Sequence, residues 1–154
     1  SDARLLLLGS FPGVASLSAG QYYAHPRNQF WPIVGRLVGI DLVPLRYEDR
    51  LARLREARIA LWDVVATCRR RGSLDADIRD AQSNAFETML ARAPALAAVG
   101  FNGATAARHA EWFATRGFKV YALPSTSPAH ARIDADAKWR AWSVLNSDGW
   151  IARS

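Results

Sequence analysis

Four short apolar runs, Arg4 to Leu8, Ile59 to Val65, Leu96 to Phe101 and Lys119 to Leu123, alternate with stretches of helical periodicity. Apolar residues on successive positions suit a strand buried on both faces. Strands separated by helices suit parallel pairing, because the chain must cross over to begin the next strand in the same direction. The alternation predicts an α/β fold, a three-layer α/β/α sandwich with a central four-stranded parallel sheet. No repeat, low-complexity tract or linker divides the 154 residues, so one domain over 1–154 is expected.

Composition narrows the classes. Half the residues are hydrophobic, yet no apolar run approaches the ~18 needed to cross a bilayer, so a soluble chain without a membrane partner is expected. Leu5 to Leu8 lacks a basic flank and a small-residue cleavage site, which argues against a secretory signal. The single cysteine, Cys68, excludes an intramolecular disulfide and reads as a small buried hydrophobe. Three scattered histidines, His25, His109 and His130, form no ligand pattern, so neither metal nor cofactor is expected. The formal charge of +6 suits a polyanionic partner, although an arginine and alanine bias from genome composition would produce it too.

From Phe30 the apolar residues Phe30, Trp31, Ile33, Val34, Leu37 and Val38 fall on one helical face, with Pro32 in the first turn and Gly39 at the end. Glu48 to Ala57 reads as a charged helix with Leu51 and Leu54 inward. Arg69, Arg70, Arg71 and Gly72 form a solvated turn or, against nucleic acid, a backbone contact. Asn84 with Glu87 caps a short helix bearing Phe86, Met89 and Leu90 that Pro94 ends. Ala104 to Arg116 reads as one helix with Phe113 inward, Gly117 as its stop and His109 structural. The last helix carries Trp139, Trp142 and Leu145 into the core.

Two loops at the carboxyl ends of strands carry the chemistry, where open α/β sheets bind ligands. The first runs from Gly9 to Trp31: Pro12 and Gly13 fix a turn, and Tyr22, Tyr23, His25 and Asn28 bring flat rings and hydrogen-bonding groups together. Asn28, at the start of the following helix, suits either an N-cap or a site role. The second loop runs from Leu123 to Arg132, with Ser125, Thr126 and Ser127 available to phosphate between two prolines. Asp63 in an apolar strand costs desolvation unless it is paired, neutral or at the strand mouth.

Gly9-Ser10-Phe11-Pro12-Gly13 resembles the first motif of the mismatch-specific uracil glycosylase branch of the uracil-DNA glycosylase superfamily. Tyr23-Ala24-His25-Pro26-Arg27-Asn28-Gln29-Phe30-Trp31 resembles the segment that follows it, and Leu123 to Pro128 the second motif. The pairing of Gly-Ser-Phe-Pro-Gly with Tyr-Tyr-Ala-His-Pro is most similar to the hypoxanthine (deoxyinosine) DNA glycosylase branch.

The resemblance implies a monomeric, cytoplasmic and nucleoid-associated enzyme of base excision repair. Its partner is DNA containing a deaminated base, which it flips out and removes. It implies that Ser10, Phe11, Tyr23 and Asp63 bind the base, with Tyr23 stacking on it and Asp63 standing where uracil enzymes carry an asparagine. Pro124, Ser125, Thr126, Ser127, His130 and Arg132 would contact DNA, with Ala131 and Arg132 nearest to the wedge position. Phe11 replaces an Asp or Asn that handles water in several branches, and Leu123 replaces a His or Asn that assists the leaving base. The resemblance then places the catalytic role on Asn28. A damaged-DNA-binding module with weak or no chemistry is the alternative, and a flavodoxin-like enzyme of small phosphates lacks the glycine motifs it would need.

Overall fold

The computed structural model describes residues 1–10, 18, 20–64, 75–128 and 134–152, with residues 75–81 as backbone alone. Phe11, Pro12 and Gly13 of the first motif, Val65, Cys68, the Arg69 to Gly72 stretch, His130, Ala131 and Arg132 lie outside the described residues.

β1 (Leu5–Gly9) is buried along its whole length because it is an inner strand with both faces covered. Its alternate residues divide the core. Leu5 and Leu7 pack with Phe30, Trp31, Leu37, Leu54, Trp142 and Leu145, whereas Leu6 and Leu8 pack with Phe86, Val99, Phe101, Ala106 and Phe113. The first set draws in α1 (Phe30–Val38), α2 (Tyr47–Glu56), α6 (Ala135–Trp142) and α7 (Val144–Ser147). The second draws in α3 (Asp75–Arg92), α4 (Ala104–Ala107) and α5 (Ala110–Ala114). Period-two alternation in one strand of five residues thus yields the two helical layers.

β2 (Ile59–Asp63), β3 (Ala98–Asn102) and β4 (Lys119–Leu123) complete a four-stranded sheet in the order β2-β1-β3-β4, every adjacent pair parallel. The expected α/β/α sandwich is therefore the observed fold. The order reverses direction between β1 and β3, so a crevice opens beyond their carboxyl ends. The register sets Gly9 beside Asp63 and Asn102 beside Leu123 at that edge.

Several expected boundaries move. β2 stops at Asp63, which puts the carboxyl at the strand mouth. β3 begins later than Leu96 and extends to Asn102, which the sequence reads as part of a turn. α3 starts at Asp75, so Asn84 lies inside it and caps nothing; its carbonyl accepts from the Thr88 hydroxyl at 2.9 Å. The upstream residues alternate helix formers with polar groups and leave no apolar stripe to announce the extra turns. Ala104 to Arg116 is broken at Arg108 and His109, where bonds to residues three back replace the α pattern. The His109 ring sits edge-on to Phe86 at 5.4 Å. The last helix is likewise two pieces, with Trp142 and Leu145 fully buried and Trp139 beneath the Arg36 guanidinium.

Candidate active site

The first loop reaches the strand ends by turning at His25. The Asn28 N–H donates to the His25 carbonyl at 2.9 Å, and the Arg27 N–H donates to His25 Nδ1 at 3.0 Å. An Asn28 Oδ1 that accepts from the Phe30 N–H at 2.9 Å then starts α1. Asn28 is thus not the N-cap, a position that Gln29 takes without a side-chain bond; it sits one residue earlier and closes a turn onto the first helical N–H. A carbonyl oxygen has a second lone pair and the Nδ2 group has no hydrogen bond among the described residues, so the amide keeps capacity for a ligand. Its neighbour Gln29 donates its backbone N–H to the Thr126 carbonyl at 3.0 Å and ties the first loop to the second. The buried Gln29 Oε1 has no partner among the described residues.

Tyr23 takes φ 55°, left-handed backbone that a bulky aromatic adopts at a cost of about 1–2 kcal/mol. Two contacts hold it there: the ring stacks on Phe30 with centroids 3.9 Å apart, and the hydroxyl reaches the end of β1. Tyr22 is tied by its N–H to the Tyr47 hydroxyl at 3.1 Å and by its carbonyl, which accepts from Trp31 Nε1 at 3.3 Å.

Gly9 is the floor on which these groups meet. A β-carbon there would overlap Asp63 Oδ1 and lie 2.8 Å from the Tyr23 hydroxyl. Only glycine lets a carboxyl and a phenol close over the strand end. Burial pushes the Asp63 carboxyl up to about 6 from the ordinary 3.8. Burial first and the Asp63 charge second push the Tyr22 phenol to about 12. The same two causes raise Tyr23, opposed by a hydrogen bond from Asn102. Both phenols are therefore protonated at neutral pH, and the carboxyl changes state close to it.

Asn102 is the residue the sequence reading missed. Its buried Nδ2 donates to Thr126 Oγ1 at 3.0 Å, and its Oδ1 accepts from the Thr126 N–H at 3.0 Å. One side chain at the end of β3 thus fixes the second loop, and it lies near enough to the Tyr23 hydroxyl to oppose the rise in its pKa. Thr126 is 1% exposed, so its hydroxyl faces Asn102 and not solvent. Pro124 accepts from Trp142 Nε1 at 2.9 Å, and Ser125 Oγ accepts from the Ser127 N–H at 3.1 Å. Ser10, Pro124, Ser125 and Ser127 are partly exposed along the same edge. Leu123 is buried in the core.

The structure therefore gathers Asp63, Tyr23 and the Thr126 loop around the β1–β3 crevice, with Asn28 one residue from the bond that joins the two loops. Among the described residues no group of three or more metal-ligating side chains comes together, and no helix is long and apolar enough to cross a membrane.

Comparison with known proteins points the same way. The profile of the Uracil DNA glycosylase superfamily matches residues 1–146. The chain is 37% identical over 131 residues to a protein named hypoxanthine DNA glycosylase from Methanosarcina barkeri, covering 85% of this chain and 83% of that relative. It is 35% identical over 142 residues to a protein of the same name from Methanosarcina acetivorans, covering 91% and 90%. A solution NMR structure assigned as a uracil DNA glycosylase from Methanosarcina acetivorans superposes with a TM-score of 0.78 at 34% identity, covering 95% of this chain and 91% of that one.

Proposed function

The chain belongs to the uracil DNA glycosylase superfamily, and from that premise we propose that it is a monofunctional glycosylase that flips a deaminated base, hypoxanthine or uracil, out of DNA and hydrolyses its N-glycosidic bond. The observation that carries the reading is the crevice between β1 and β3. There a half-buried carboxyl, two neutral phenols and an anchored second loop surround a strand end kept open by Gly9.

Each part has a task in that reaction. Breaking the bond develops positive charge on the sugar and negative charge on the leaving base, so a water must be held at C1′ and dipoles aimed at the base. The Asn28 amide orients the water, its plane fixed by the bond to Phe30. Tyr23 spends one ring face on Phe30 and offers the other to the flipped base. Backbone N–H groups of Ser10 and Phe11 receive charge on the leaving base. Asp63 reads the base edge. Ser125, Ser127, Pro124, His130 and Arg132 contact the DNA backbone, and Thr126, buried against Asn102, acts by holding the loop's shape. Extrusion of a base costs a few kcal/mol, least where it is mispaired, and this favours damaged sites.

The test is excision from duplexes carrying hypoxanthine, uracil or xanthine, followed by alkali to cut at abasic sites. Release of at least one base is expected, with Asn28→Ala lowering the rate roughly a hundredfold or more. Because Asn28 also starts α1, its alanine variant should lose about 1 kcal/mol of stability, and Asn28→Ser should restore stability without restoring the rate. No abasic product from any duplex, together with tight binding to them, would favour a binding module, the reading to which Phe11 and the buried Leu123 lend weight.

A further inference from the structure

Tyr23 stands in left-handed backbone at φ 55°, an outlier for a bulky aromatic that persists only where the surroundings over-determine it. They do so through the residue before it. Both backbone groups of Tyr22 are held by side chains: its N–H donates to the Tyr47 hydroxyl at 3.1 Å, and its carbonyl accepts from Trp31 Nε1 at 3.3 Å. The peptide planes on either side of Tyr22 are thus fixed, and the second of them carries the Tyr23 N–H and so bounds its φ.

The two holders are locked to each other. Tyr47 meets Trp31 edge-on with centroids 6.3 Å apart, Trp31 meets Phe30 edge-on at 5.0 Å, and Phe30 stacks on the Tyr23 ring at 3.9 Å. The Arg50 guanidinium lies 5.2 Å from the Trp31 centroid, with Nε and Nη2 donating to the Leu42 and Val43 carbonyls at 2.9 and 2.6 Å. The contacts close a circuit from Tyr22 through Tyr47, Trp31 and Phe30 back to Tyr23.

Phe30 and Trp31 are buried in the core, which accounts for them, whereas Tyr47 opens α2 and is only partly buried. Packing explains its ring. It does not explain the hydroxyl, because a phenylalanine would make the same edge contact with Trp31. Among the described residues that hydroxyl has one bond, to the Tyr22 N–H. Resting on the glycosylase reading, we infer that Tyr47 is a positioning residue of the site: its hydroxyl, acting through the Tyr22 backbone, holds Tyr23 in left-handed conformation and so presets the ring that faces the flipped base.

The consequence is a preorganised wall. A ring driven into left-handed backbone only as the base arrived would add that cost to extrusion, and a ring held there beforehand does not. Extrusion follows the encounter with the duplex, so the hydroxyl should act on base release at saturating DNA and leave affinity for undamaged duplex as it is.

The experiment measures single-turnover base release from duplexes carrying hypoxanthine or uracil, with anisotropy titrations of those duplexes and their undamaged counterparts. Wild type, Tyr47→Phe, Tyr23→Ala and the double variant are compared. Tyr47→Phe keeps the ring on Trp31 and removes only the acceptor. It should release base roughly tenfold more slowly, with unchanged affinity for undamaged duplex and a preference for the damaged one reduced by a similar factor. Tyr23→Ala should be slower still, and adding Tyr47→Phe to it should slow release no further, because the ring through which Tyr47 acts is gone. Effects that multiply in the double variant would mean that Tyr47 supports the fold at large, and a Tyr47→Phe protein equal to wild type would mean that the hydroxyl positions nothing; either overturns the inference. Binding separates this inference from the reading it rests on. A damaged-duplex preference that Tyr47→Phe weakens, without base release by any of the four proteins, upholds Tyr47 and removes the glycosylase reading, whereas release by wild type that Tyr47→Phe matches does the reverse.

Discussion

Asp63 is carried at the mouth of β2 against the interest of the fold. Its carboxyl ionises near 6 in the folded chain and at 3.8 when free, so the folded state holds the proton more tightly. The sign follows: the contribution to stability is full below the unfolded value and is lost as pH rises through about 6, above which the fold contains a poorly solvated charge. A shift of this size corresponds to about 3 kcal/mol, discounted to about 1–2 kcal/mol because the carboxyl is part-exposed. Asp63→Asn should therefore melt a few degrees higher than wild type at about pH 8, with the difference vanishing near pH 4, as read by thermal unfolding across that range. Equal melting temperatures at both ends would mean that the carboxyl is well solvated. A variant that gains stability while losing activity is the expected signature of a functional residue. This side chain was legible in the sequence because an acid in an apolar run is chemically out of place. Asn102 was not, since Asn-Gly reads as a turn and its partner, Thr126, lies 24 residues further on.

At the level of elements, the strands were legible because buried parallel strands announce themselves as unbroken apolar runs, and the helices were less so where packing is light. Nothing local marks Asp75 as the start of α3 or Arg108 as a break. The second loop shows how placement exceeds pattern: its three hydroxyls look equivalent in sequence, yet Thr126 alone is sealed against Asn102 while Ser125 and Ser127 stay partly exposed. Thr126→Val keeps the shape and removes the acceptor of the Asn102 amide, leaving a buried donor short of a partner at a cost of about 1–3 kcal/mol. Because the same amide lies near the Tyr23 hydroxyl and opposes the rise in its pKa, loosening it should disturb the base wall together with the loop. The expected outcome is a melting temperature several degrees lower and a base-release rate reduced roughly tenfold or more, both recovered in Thr126→Ser. An unchanged melting temperature for the valine variant would mean that the Asn102–Thr126 pair contributes nothing to the fold.

Across the whole molecule, the sheet order brings the first loop, the second loop and Asp63 to one edge, and the remaining question is what brings DNA to that edge. The net charge of +6 rests almost wholly on arginine, the side chain whose planar fork suits phosphate oxygens. Arg27 is exposed in the turn that positions Asn28, held by the bond from its own N–H to His25, so a phosphate beside the flipped nucleotide would meet it first. Attraction of this kind is driven by counterion release and is indifferent to the base, which separates it from anything Asp63 does. If about four phosphates are engaged, affinity for undamaged duplex should fall by roughly a hundredfold between 50 and 200 mM salt. Arg27→Ala should lower the slope of log affinity against log salt by about one, while Asp63→Asn leaves the slope as it is. Titrations by fluorescence anisotropy at several salt concentrations measure both. A flat salt response would mean that the arginines do not face DNA at all. A steep response untouched at Arg27 would move the phosphate track away from the Asn28 turn, and with it the strand geometry that places C1′ near the Asn28 amide.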